Sequence, residues 1–245
     1  MKVVNISIVG AAILVNAAFL VWHYDLFAAW EAGPDRAELH ALITDGKAEE
    51  ARALAVTHFE AMLATHGSSD LRSLEAGKLL AMVLRRSERH TEALALYEQL
   101  YAAQTRAESA NLEQQIKLLS EMIGMYLQAD QLDPAIGSAR EKLALREAAL
   151  GPGSTVLLGD LLTLADLYRQ RGDYAAARAE LERGMHIIDG DHHRHIRMRN
   201  HLYFTLLHIE QEEAAAIEAE KRGEEAPTPN RQIPIVPGPL MIGSI

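Results

Sequence analysis

LLTLADLYRQRGDYAAARAELERG, residues 161–184, reads as two short amphipathic helices folded back on each other at Gly172. Apolar or small side chains fall at Leu161, Leu164, Ala165 and Tyr168, then at Ala177, Leu181 and Gly184. Spacings of three, four and seven residues gather each set into one stripe of a helix. Gly172-Asp173 separates the sets, because glycine accepts a left-handed turn and aspartate caps a following helix. A lone hairpin cannot bury such stripes, so the stretch implies neighbours of its own kind.

A shift of 42 residues finds them: Ala177 maps to Ala135, Ala93 and Ala51, in the contexts DYAAA, LDPAI, HTEAL and AEEAR. Leu164 maps to Met122 and Leu80, Tyr168 to Tyr126, Leu84 and Leu42, and Gly172 to Asp130, Glu88 and Gly46. The alanine recurs because it lies where the second helix crosses the first, and a larger side chain would push the two apart. Several columns agreeing at one period make an ungapped repeat of helical hairpins.

These residues resemble the tetratricopeptide repeat (TPR). Its first-helix pattern of large apolar, Leu, small and Tyr stands at Leu161, Leu164, Ala165 and Tyr168, and its second-helix pattern at Ala177, Leu181 and Gly184. A period of 42 exceeds the roughly 34 residues usual in that family. It is similar to the longer repeats of kinesin light chains, where a Leu-Gly-Pro turn, here Leu150-Gly151-Pro152, also precedes the next first helix. The sequence departs from the family at Lys142 and His58, where a small residue is preferred. The resemblance implies an all-α, TPR-like helical-hairpin solenoid over 34–223, with units near 34–66, 74–108, 116–150 and 158–189 and a capping helix at 192–222.

The rest of the chain fits that reading. Helices are expected at 34–45, 47–66, 70–87, 89–104, 107–129, 133–149, 154–171, 174–189 and 192–222, broken at Gly, Pro and capping residues. Nothing alternates with the period of a strand. Ahead of the solenoid, Val3 to Trp22 is 20 residues without a formal charge; as a helix it would be about 30 Å long, the thickness of a bilayer core. Residues 1–24 are therefore expected to be a transmembrane anchor or uncleaved signal, followed by a linker at 25–33. Lys2 in front and Asp25, Glu31 and Asp35 behind favour a cytoplasmic N-terminus and a periplasmic bulk at a bacterial inner membrane. Past 223 the tail 224–245 carries five of the eight prolines, which exclude regular helix, and ends in IPIVPGPLMIGSI.

Composition narrows the function. A formal charge of −10 argues against a nucleic-acid binder, and the absence of cysteine excludes disulfides and thiolate metal sites. No nucleophile–base set, phosphate loop or HExxH motif is present, so the chain reads as non-catalytic and cofactor-free. His192, His193, His195 and His201 form a histidine-rich stretch running on to His208, but no carboxylate completes a recognisable metal motif; a polar, basic helix start is the plainer reading. By the resemblance, first-helix positions two, five, nine, twelve and thirteen face a partner-binding groove. Counted from Leu74, Ile116, Leu158 and Asn200, they supply Lys78, Met82, Arg85, Arg86, Lys117, Leu127, Gln128, Asp166, Arg169, Gln170, His201, Phe204 and His208. This set is more basic than the whole and suits an extended peptide with acidic and apolar side chains. The expectation is a membrane-anchored scaffold for a protein partner. The alternatives are a fixed subunit of a membrane complex with its tail docked on a neighbour, a metal-dependent role for the histidines, or a tail that folds back into the chain's own groove.

Overall fold

The computed structural model describes residues 33–107, 110–189 and 196–224, and among them every regular element is helical. The helices are α1 (Arg36–Thr44), α2 (Ala48–His66), α3 (Leu71–Arg86), α4 (His90–Arg106), α5 (Leu112–Gln128), α6 (Leu132–Leu150), α7 (Leu158–Gln170), α8 (Tyr174–Ile188) and α9 (Ile196–Arg222), with a 3₁₀ turn at Thr155–Leu157 leading into α7. They divide into two compact units, Met1–Ala107 with α1–α4 and Glu108–Ile245 with α5–α9. None of the described helices is long and apolar enough to cross a membrane. The expected anchor at 3–22, the histidines His192, His193 and His195, and the tail from 225 onward lie outside the described residues.

Each hairpin turns the same way, and the 42-residue shift locates its tightest residue. Gly46, Glu88, Asp130 and Gly172 all adopt positive φ, at 78°, 60°, 57° and 81°. The next N–H in each case reaches back five residues: Lys47 to Leu42 O, Arg89 to Leu84 O, Gln131 to Tyr126 O and Asp173 to Tyr168 O, at 2.8–2.9 Å. This is a Schellman closure, which satisfies carbonyls that the helix end would otherwise leave without partners. Glycine enters that conformation without penalty, whereas Glu88 meets the Cβ clash of a left-handed residue.

The repeated alanines lie at the hairpin crossings. Ala51, Ala93, Ala135 and Ala177 are all 0% exposed. The first-helix stripes close over them: Leu80, Ala81 and Leu84 on α3, Leu119, Met122, Ile123 and Tyr126 on α5, and Leu161, Leu164, Ala165 and Tyr168 on α7 are all buried. At Gly77, where α5 and α7 carry Leu119 and Leu161, a Cβ would stand 2.7 Å from Leu100 and 2.9 Å from Phe59, so those two side chains fill the space of the missing leucine.

The departures from the repeat pattern are compensated by neighbours. Gly184 on α8 lets Leu202 of α9 approach so closely that an added Cβ would meet its methyls at 3.2–3.3 Å. One period earlier the pair becomes Lys142 and Asp160. Lys142 Nζ lies 3.1 Å from the Asp160 carboxylate, which is 3% exposed and also accepts from Arg146 at 2.6 Å. An apolar contact has been exchanged for an ion pair at the same place in the repeat. His58, the other departure, lies against the backbone of Gly33, whose hypothetical Cβ would meet the imidazole at 2.2–2.5 Å.

Candidate partner-binding surface

In the first unit, Lys78, Met82, Arg85 and Arg86 recur at three- and four-residue spacing along α3 and therefore share one side of that helix. Met82 is 9% exposed, Arg86 is open to solvent, and Lys78 and Arg85 are half-buried. Lys78 Nζ donates to Glu75 at 2.9 Å, an i, i+3 pair on the helix surface. In the second unit, Lys117, Leu127 and Gln128 lie on α5; Lys117 and Gln128 are exposed and Leu127 half-buried. Lys117 pairs with Glu113 at 2.7 Å, and this hydrogen bond and charge hold the Glu113 carboxyl below its ordinary pKa.

Asp166 and Arg169 on α7 differ from the expectation of an open groove. Arg169 is 0% exposed and Asp166 is 6% exposed. The guanidinium donates to Asp166 Oδ1 through Nε at 3.0 Å and Nη2 at 2.7 Å, while Nη1 reaches both oxygens of Glu212 on α9 at 3.0 and 3.1 Å. Gln170 donates to the other Asp166 oxygen at 2.7 Å, and His208 Nδ1 lies 3.5 Å from Glu212. Burial works to lower the Arg169 pKa, but hydrogen bonds and charge from Asp166 and Glu212 outweigh it and hold the guanidinium above its ordinary value. The burial coincides with α9, which packs on α8 and brings the Glu212 carboxylate to Arg169. Asp166 and Arg169 thus join α9 to the last hairpin in this conformation.

Around this cluster further ion pairs tie α9 and neighbouring helices together. Arg178 of α8 bonds Glu213 of α9, and Arg183 of α8 bonds Glu147 of α6. In the first unit Arg89 Nη1 reaches Glu49 at 3.1 Å, 40 residues away. Of the remaining predicted positions, His201 is exposed, and Phe204 is 64% exposed with its ring edge-on to Tyr203 at 6.0 Å. Among the described residues no three His, Asp or Glu side chains are grouped to hold a metal. Sequence reading missed Glu212 and the Lys142–Arg146–Asp160 cluster. Glu212 stands one repeat of 42 residues after Gln170, at the thirteenth position counted from Asn200, and that position was the available signal.

The elements and their repeated turns define a TPR-like helical repeat fold. No family model matches the chain, and no curated protein matches it. Among solved structures it is similar to the nearly identical TPR-like repeats of a kinesin light chain from Podosopora anserina, with a TM-score of 0.58 and 20% identity over 76% of this chain and 88% of that one. It is also similar to BtubC (BKLC) from P. vanneervenii, with a TM-score of 0.53 and 17% identity over 75% of this chain and 76% of that one. At these identities the likeness is one of fold.

Proposed function

We propose that this chain is a non-catalytic scaffold that holds a protein partner, anchored in a membrane by residues 3–22 with its bulk in a bacterial periplasm. The observation that carries the reading is the α3 side bearing Lys78, Met82, Arg85 and Arg86: three cations around a methionine, in a chain of net charge −10. The hairpin stripes are committed to holding the repeats together, and on this side of α3 Arg86 is open to solvent while Lys78, paired with Glu75, and Arg85 are half-buried. An extended segment with acidic side chains would match it in charge. The anchor would confine the encounter to the membrane surface.

The test is co-purification from solubilised membranes with wild type and an Arg85→Glu/Arg86→Glu variant. Wild type is expected to retain a defined partner that the variant releases, with helicity by circular dichroism unchanged. Reversing two contact charges at about 1 kcal/mol each lowers affinity roughly thirtyfold. Equal retention by both overturns the assignment of this face. For the anchor, alkaline extraction should leave the full chain in the membrane pellet and release a chain starting at residue 33.

A further inference from the structure

α9 ends in the same turn that closes the four hairpins. Gly223 has φ 71°, its N–H donates to Glu220 O at 3.0 Å, and the Glu224 N–H reaches back five residues to Ala219 O at 2.9 Å. The turns at Gly46, Glu88, Asp130 and Gly172 make the same two bonds, and after each the chain packs back along the helix it has left. Glu224 begins such a return, because it borders a shallow cavity with Tyr174, Glu213, Ala216, Ile217 and Glu220. Among the described residues α9 has nothing lying on its outer side. Leu202, Ile209 and Ala219 are buried, whereas Tyr203 is 56% exposed, Phe204 64% and Leu207 39%. The last apolar face of a helical repeat needs a cover to stay soluble.

We propose that the cover is the chain's own C-terminal segment, which runs back from Gly223 and lays Ile233–Val236 on Tyr203, Phe204 and Leu207 of the same molecule. The length fits. Tyr203 stands 19 residues before Arg222, about 29 Å along the helix. The nine residues Glu224–Gln232, extended at about 3.1 Å each, span about 28 Å. The polar run EEAPTPNRQ therefore passes the polar half of α9, and the apolar run starts where the exposed rings stand. The chemistry fits as well. From 226 to 245 Arg231 is the one charged side chain. Pro234 and Pro237 are three residues apart, one turn of an extended polyproline helix, so both rings share a side. Proline faces of this kind dock on exposed aromatics, and Tyr203 and Phe204 stand edge-on to each other at 6.0 Å. Proline also has no N–H to leave unpaired beside a helix whose own backbone bonds are already made. A foreign partner or a second copy would compete with a segment held by a short tether at an effective concentration of about millimolar.

Limited trypsin digestion of the purified full chain tests this, read by mass spectrometry as release of the peptide 232–245 after Arg231. Cleavage follows the undocked population, so Tyr203→Glu/Phe204→Glu, which leaves the cleavage site unchanged, should release the peptide about tenfold faster than wild type at equal helicity. The chain has no cysteine, so the register is read separately by mild oxidation of two double variants. Leu207→Cys/Gln232→Cys should join within one chain, and faster than Ile217→Cys/Gln232→Cys. An undocked tail gives the opposite order, because the loop to Ile217 is the shorter one. Equal peptide release from wild type and variant overturns the proposal, as when a foreign protein or the membrane surface covers the rings. Faster joining at Ile217, or disulfides that link two chains, overturns it equally.

Discussion

Arg169→Met isolates the interaction that fastens α9 to the last hairpin. Methionine keeps most of the side-chain volume and removes the charge, so the loss is electrostatic rather than a cavity. Arg169 is 0% exposed and donates four hydrogen bonds at 2.7–3.1 Å to two carboxylates, of which Asp166 is itself buried. Taking the guanidinium away strands Asp166 and Glu212 near each other without a cation. Breaking a buried pair in this way costs about 3–5 kcal/mol. Glu212, with 16% of its side chain exposed, recovers some hydration, so the lower end of that range is expected. In urea titrations followed by circular dichroism, about 3 kcal/mol at a slope of about 2 kcal/mol/M moves the midpoint down by roughly 1.5 M. The transition to follow is that of the second unit, which contains the whole cluster. The matched control is Arg169→Met with Asp166→Asn and Glu212→Gln, which removes all three charges and should recover most of the loss. A single variant within about 1 kcal/mol of wild type, or a triple variant no better than the single, would refute the reasoning.

Three further outcomes follow from the repeat geometry and from one partly buried histidine. Glu88→Gly relieves the left-handed residue at φ 60° and should raise the stability of the first unit by about 1 kcal/mol in the same titration. Ala93→Leu or Ala177→Leu forces a larger side chain into a crossing with no exposed surface and should cost about 1–3 kcal/mol; an equal change at exposed Ala53 should be nearly silent. Burial lowers the His58 pKa below 6.5, so its neutral form is favoured in the folded chain. That contribution is complete above 6.5 and is lost as pH falls through the depressed folded value. The stability of wild type between pH 7 and pH 5 should therefore fall more steeply than that of His58→Gln, as measured by thermal melts at each pH.

The repeat was legible because it depends on local chemistry. A positive-φ turn, a residue-sized crossing and a stripe of one helical period each leave a mark at a fixed offset, and Ala51, Ala93, Ala135 and Ala177 carry it without a gap. Even Glu88 and Asp130 were located at the turn by register alone, although neither is a preferred residue there. The candidate site was less legible. Counting first-helix positions identifies the side of α7 away from its own hairpin partner, but whether that side meets solvent depends on what the chain does one repeat later. Glu212 decides the matter for Asp166 and Arg169, and its role depends on how α9 lies, which the spacing within α7 does not encode. Lys142 looked like a defect for the same reason: its compensation, Asp160, is on another helix.

The exchange of Gly184–Leu202 for Lys142–Asp160 bears on how such a chain can be recombined. Each of the last two hairpins carries half of a lock whose other half belongs to the helix that follows it. Transplanting the segment 116–157 to precede α9 would bring Lys142 against Leu202 and enclose an amine with no carboxylate to receive it. Cutting within a hairpin, so that α6 travels with α7, would keep lock and key on one fragment. The exchangeable module of this chain is therefore offset by half a unit from the hairpin that the eye picks out.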